Sequence, residues 1–541
     1  MKGVFAASES TQVSKVCLLC LIGFILFCFA IATTGAESIP PDLKAIHVLN
    51  RLAFGPRSGD LERLKSIGAE QYIKEQLLPE SIALPGALTN RLEELSTLHQ
   101  TPVRLFAEYR PSPLGLKGDK EAAKRAQQRA RVVVEQASEA RILRAAESPR
   151  QLQEVMVNFW FNHFNVFAGK GLDRLWVGAY EEQAIRPYAL GRFLDLLEAT
   201  ARHPAMLFYL DNWQNTAPGS RGARGRFKGL NENYARELME LHTLGVDGGY
   251  TQQDVIALAR ILSGWGFRTQ EGAAQVSPAR QRRLGLFYET ASNGNGFFFD
   301  ANRHDFSDKV FLGRTIRGSG IAEGEQALDI LARSPATAHH IAFQLAQYFV
   351  ADEPPASVVD RLADRFLQTG GDIRAVLDTL FHSPEFWDEK HYDKKFKTPF
   401  EYVISAVRAT GVEVRNVRPL LGVIGQLGMP LYGCQTPDGY KNTLEAWLNP
   451  SAMTQRIGFA TAMAGGYLRI NQTPPKDMNE MEGGSNPAAM SQAVRMKPQD
   501  PSELRHTLGD RLSARTKRAL EAAPARLRSA VILGGPDFMQ R

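Results

Sequence analysis

Residues 158–167, NFWFNHFNVF, set three asparagines and one histidine among four phenylalanines and a tryptophan. Phenylalanine and tryptophan favour burial, whereas an unpaired amide or imidazole resists it. Projected at about 100° per residue, the run from Leu152 separates the two tendencies. Leu152, Val155, Met156, Phe159, Trp160 and His163 share one face. Asn158, Asn162 and Asn165 fall on a second stripe, roughly a third of a turn away. The spacing predicts a core helix whose histidine faces inward and whose asparagines must meet polar partners or water. For His163 two readings stand: a core imidazole bonded to a carbonyl, or a ligand or acid–base group.

The same periodicity extends outward over nearly the whole chain. AIHVLNRLAF (45–54) is stopped by Gly55 and Pro56, and Ser58 caps a helical pair that breaks near Gly68. ENYARELMELHTLG, QQDVIALARILSGWGF, TAHHIAFQLAQYFV, ASVVDRLADRFLQTG and DIRAVLDTLFHSPEFW repeat apolar residues at i, i+3, i+4 and i+7. Alternating patterns are scarce. The best is LGLFYE (284–289) with GFFFD (296–300) across ASNGNG, a candidate hairpin. The expected class is mainly α: a large multi-helical body with a minor β-hairpin element.

Composition bounds the function. The chain has 541 residues, 44% hydrophobic and 23% charged, so it builds a substantial core. A net charge of +6, with bases and acids interleaved, argues against a nucleic-acid partner. Lys2 and Lys15 precede an apolar run from Val16 to Ala32 and the small-residue segment TTGAES. That order is a secretory signal peptide, residues 1–36, with an uncleaved anchor as the alternative and no other membrane segment. Periplasmic or secreted localisation follows. Cys17, Cys20 and Cys28 fall in the signal, leaving Cys434 alone, so no internal disulfide is available downstream. The expected organisation is a main helical domain at 43–470, a loosely ordered linker at 471–505, and a C-terminal helical segment at 506–541 that packs on the main body.

Three further constellations carry polar chemistry. In NENYARELMELHTLGVDGGY, Asn231 is the expected N-cap and Gly245 the C-terminal stop of a helix of about three turns. Glu237 lies within its apolar stripe, flanked by Asn233 and Glu240, while His242 points elsewhere. A buried carboxyl is paired, protonated or bound to a cation. The alternatives are an ion pair with Arg236 or Arg260, and a carboxylate site for a metal or acid–base chemistry. RHDFSDKVFLG joins His304 to Asp305, an imidazole–carboxylate pair or two metal ligands. HVLNRLAFG contributes His47, Asn50 and Arg51; His339, His340, His382 and His391 read as surface or capping residues. Thr251 and Asp254 form a capping box. GxSxG, Walker, HExxH and CxxCH motifs do not occur, and the one CxxC, Cys17 to Cys20, falls in the expected signal segment, which weighs against serine hydrolase, nucleotide-dependent, zincin and c-type haem readings.

Taken together, NFWFNHFNVF, NENYARELMELHTLGVDGGYTQQDVIALARILSGW, HDFSDKVFLG, GDIRAVLDTLFHSPEFW, KTPFEYVISAVRATG and AVILGGPDFMQR resemble the bacterial family catalogued as domain of unknown function 1800. The resemblance runs from near Leu43 to the C-terminus. It implies a large exported helical protein, encoded beside a secreted sulfatase-like partner and working on envelope or extracellular polymers. It carries no catalytic residues with it.

The leading expectation is therefore an exported polymer-acting enzyme. Glu237, His163 and His304 would be catalytic, and Asn162, Asn233 and Arg51 would hold substrate. One divalent metal ion would sit on Glu237, Glu240, His304 and Asp305. The alternative is a non-enzymatic envelope scaffold or partner-binding protein whose buried polar groups are structural.

Overall fold

A computed structural model describes residues 41–110, 120–225, 227–269, 288–290, 295–473, 496–509 and 512–541. The expected signal segment 1–36 and most of the expected 471–505 linker lie outside these residues, as do 284–287 and 291–294 of the candidate hairpin. Among the described residues, no helix is long and apolar enough to cross a membrane.

The architecture is mainly α with a minor β element. At its centre the Gln151–His163 helix is buried on nearly every side, with Leu152, Met156, Trp160 and Phe161 each at most 3% exposed. The Pro41–Leu52 and Ala69–Leu77 helices, the long Lys120–Glu147 helix and a π-helical turn at Glu181–Ile185 pack around it. The π-turn belongs to a ring of three acids and three bases. Arg141 pairs with Glu181 at 3.1 Å, Arg186 with Glu154 at 2.9 Å and Glu181 at 3.3 Å, and Arg144 with Glu182. Burial alone would raise the Glu182 carboxyl, but Arg186 and Arg144 hold it below its ordinary value.

Among the described residues there are five short strands: β1 (Trp265–Phe267), β2 (Tyr288–Thr290), β3 (Phe297–Asp300), β4 (Lys309–Phe311) and β5 (Arg314–Ile316). The expected hairpin is present as antiparallel β2–β3, with Tyr288 opposite Asp300. β1, which sequence spacing merges into the preceding helix, pairs with the other edge of β3. Gly264, at φ +82°, makes the turn out of that helix.

Several local expectations need correction. Gly59, not Ser58, precedes the Asp60–Ile67 helix, while Gly68 breaks the pair as read. The central helix stops at His163, so Asn165 sits in the following turn rather than on a third helical step. The Asn233–Glu240 helix is shorter than three turns: Glu232 precedes it, and it ends before Leu241. The Thr251–Asp254 capping box forms as read.

Both ends of the described chain enter one region. Arg51 donates to the His391 carbonyl at 2.6 Å, and Arg408 donates to the Gly55 carbonyl at 2.8 Å. Residues 395–397 run beside 539–541, and Arg541 pairs with the buried Glu401 at 3.1 Å. The Pro450–Ala464 helix packs along Arg528–Leu533.

Candidate functional site

A cavity of about 350 Å³ opens where the 158–165 segment meets residues 240–246, the Pro335–Phe349 helix and the 429–443 loop. Asn158, Asn162, His163 and Asn165 all line it, so the two stripes of the opening motif converge on one space. What the amides do there is structural. Asn162 donates through Nδ2 to the Tyr440 carbonyl at 2.8 Å and accepts the Tyr440 N–H on Oδ1 at 2.7 Å. One side chain thereby reproduces a step of β-ladder against the loop. Asn165 donates to the carbonyls of Cys434 at 3.1 Å and Thr436 at 2.9 Å. Asn158 accepts from Arg141 at 2.8 Å. Gly439 lets the loop come this close: its φ is +67°, and an added Cβ would lie 2.2 Å from the Asn162 carbonyl oxygen.

His163 faces inward as its spacing implies, with Nε2 3.2 Å from the His242 carbonyl. Burial and the neighbouring His340 push its pKa down to about 3, so it stays neutral over the working pH range. His340 also lines the cavity, its ring 6.3 Å from that of His163, and burial lowers its pKa as well. The surface or capping reading of His340 is thus corrected, and so is that of His391, which is buried. Sequence reasoning passed over His340, Gln344 and Asp438 as cavity residues. The first two form a helical i, i+4 pair that points at the 158–163 helix, a weak signal available beforehand.

The acidic helix does not present Glu237 as expected. Glu237 is half-buried rather than buried, and it is Glu240 that enters the cavity wall. Burial and then Glu240 raise the Glu237 carboxyl above its ordinary value. Arg236 pairs with Glu240 at 3.6 Å, as spacing allowed, but Arg260 turns away to Asp305 at 2.7 Å. Asn233 is exposed and donates to the Leu210 carbonyl at 3.2 Å. Arg51 is fully buried on the His391 carbonyl.

The loop constellation lies elsewhere. His304 sets Nε2 against Glu323 at 2.8 Å and Nδ1 against the Ser263 carbonyl at 2.8 Å, spending both ring nitrogens. Lys309, also fully buried, pairs with the other Glu323 oxygen. Burial would raise Asp305, yet Arg260 and Ser307 hold its carboxyl far below the usual range. The four expected metal ligands therefore do not converge. Among the described residues, no group of three or more His, Cys, Asp or Glu side chains is arranged to hold a metal ion. Of the expected site residues, the cavity gathers Asn162, His163 and Glu240, and leaves out Glu237, His304, Asp305, Asn233 and Arg51.

This helical frame, with its cavity beneath a stitched loop, spans the part of the chain that a family model recognises. The match, to the family described as protein of unknown function (DUF1800), covers residues 47–540, and the chain belongs to that family. No curated protein and no solved structure matches the chain.

Proposed function

We propose that the protein is an exported enzyme that acts on an envelope or extracellular polymer, with its chemistry in the cavity beneath the 429–443 loop. The observation that carries this reading is the pairing of two carboxyls in unlike settings one helical turn apart. Glu240 is in the cavity wall, and Glu237 beside it has its carboxyl raised by burial and by Glu240. A carboxyl in a ligand-accessible wall is placed for acid–base work. In a hydrolytic reaction Glu240 accepts a proton from the attacking water and returns it to the departing group, while Glu237, outside the cavity, acts on Glu240 as its neighbouring carboxyl. His163 and His340, held neutral, orient the ligand by hydrogen bonding.

The test uses purified protein incubated with isolated envelope polymer fractions, following soluble fragment release. Glu240→Gln should abolish release without changing the thermal midpoint, and Glu237→Gln should shift the pH profile. Wild-type release by Glu240→Gln protein would sink the reading. A second reading, a non-enzymatic scaffold or partner-binding protein, is favoured by the way Asn158, Asn162, Asn165 and His304 are all consumed by internal bonds. Absence of any release by the wild type, with the fold intact, selects it. The expected co-encoded sulfatase-like protein belongs to either reading as a partner to be tested by copurification.

A further inference from the structure

The cavity wall is unusual in its charge accounting. Four of its side chains carry formal charge: Arg141 and Lys441 against Glu240 and Asp438, two of each sign. Each is matched by a protein partner. Arg141 meets Glu181 at 3.1 Å, Lys441 meets Asp438 at 2.7 Å, and Glu240 meets Arg236 at 3.6 Å. The two cavity histidines add no charge, because burial disfavours their cationic forms. The Arg141–Glu181 pair is buried, so a ligand anion drawing Arg141 away would strip Glu181 of that partner away from water, which is costly. The partly exposed Lys441–Asp438 and Arg236–Glu240 pairs leave no cation facing the cavity without a carboxylate beside it.

The remaining polar groups are neutral: the amides of Gln344, Gln347 and Asn442 and the hydroxyls of Thr398 and Thr443. Between them stand aromatic faces, including Phe159, Tyr348 and Tyr440, which suit the C–H faces of a ring-shaped ligand. The space is closed at one end. Phe400 and Phe161, at 1% and 3% exposed, form the floor, whereas Val246 at 68% marks the mouth. A volume of 350 Å³ is near the small end of the range of about 300–1,000 Å³ for ligand pockets.

We propose that this cavity binds the uncharged terminal unit of a glycan, end-on, and discriminates against units bearing carboxylate or sulfate. The proposal rests on the reading of the cavity as the functional site and names its ligand class. A blind pocket receives a chain end or a small molecule, not the middle of a polymer. The neutral wall makes binding insensitive to ionic strength, unlike binding steered by unpaired charge.

Cys434 supplies the assay, because its buried thiol lies in this same wall. Full-length protein is treated with N-ethylmaleimide, and alkylation of Cys434 is followed by peptide mass spectrometry. Glucose and N-acetylglucosamine are compared with glucuronate and glucose 6-sulfate, each at low and high salt. Protection scales as one plus ligand concentration over Kd, so at ten times Kd a neutral sugar should slow alkylation about tenfold. The charged sugars should not protect, and added salt should leave the neutral effect unchanged. The proposal is overturned if charged sugars protect equally or better, if salt removes the protection, or if none of the four protects. Protection by indole where the sugars fail would also overturn it. Glu237→Gln protein is run in parallel for both protection and polymer release. In the wild type, protection without release leaves the ligand class standing and removes the acid–base chemistry. Release without protection does the reverse.

Discussion

Replacing Asn162 by alanine separates a structural amide from a ligand-binding one. The side chain makes two hydrogen bonds to Tyr440, at 2.8 and 2.7 Å, holding the 429–443 loop against the central helix. Each bond contributes roughly 0.5–1.5 kcal/mol net of water competition, so Asn162→Ala should cost about 2 kcal/mol. At about 2.1 cal/mol/K per residue, unfolding entropy for a chain of this length is on the order of 1 kcal/mol/K. The global midpoint therefore falls by only about 2 °C. Local opening is the sharper readout. Native-state hydrogen exchange at residues 436–441 should accelerate by about thirtyfold, a factor of ten for every 1.4 kcal/mol. Asn162→Asp keeps the acceptor for the Tyr440 N–H but turns an oxygen toward the Tyr440 carbonyl, so it should loosen the loop at least as much. Unchanged exchange at 436–441 in Asn162→Ala refutes the ladder argument. Loss of ligand protection at Cys434 with exchange unchanged would return Asn162 to a substrate-binding role.

Other perturbations test separate parts of the molecule. Gly439→Ala places a Cβ at φ +67° against a backbone oxygen, and should lower stability by about 3 kcal/mol or more in denaturant titration, exceeding Asn162→Ala. Glu323→Gln removes the nearer of the two carboxylates beside buried Lys309, leaving Asp305 at 4.0 Å, and should cost about 3 kcal/mol, partly recovered by adding Lys309→Met. Asp173 is fully buried, and desolvation raises its pKa well above 3.8. Between the unfolded and folded values the native state binds the extra proton, so stability falls as pH rises through that window. Asp173→Asn should remove this component of the pH slope, which thermal melts across the acid range will show.

Helical periodicity was legible wherever a stripe packed against a stripe, and Gly55, Gly68 and the Thr251 cap marked their boundaries because each has a local cause. β1 escaped notice because three residues carry too little pattern to separate Trp265 from the helix before it. The site was half legible. Spacing brought out His163 and the asparagines, but not that Asn162 and Asn165 would meet the 429–443 loop, since side-chain-to-backbone bonds leave no periodic trace. Glu237 was favoured over Glu240 because an ideal wheel continues past the point where this helix ends. His304 and Asp305 drew attention as neighbours in sequence, but their actual partners, Glu323 and Arg260, lie 19 and 45 residues away. Adjacent charged residues say little about which distant group neutralises them.

The meeting of residues 41–60 with 391–408 and 539–541 has a temporal consequence. The buried Glu401 meets Arg541 only after residue 541 has been made, so this corner of the core closes late in synthesis. Contacts spanning more than 300 residues, Arg51 to His391 and Arg408 to Gly55, also make closure slow. A polypeptide built this way keeps the Glu401 corner open until residues 539–541 are in place.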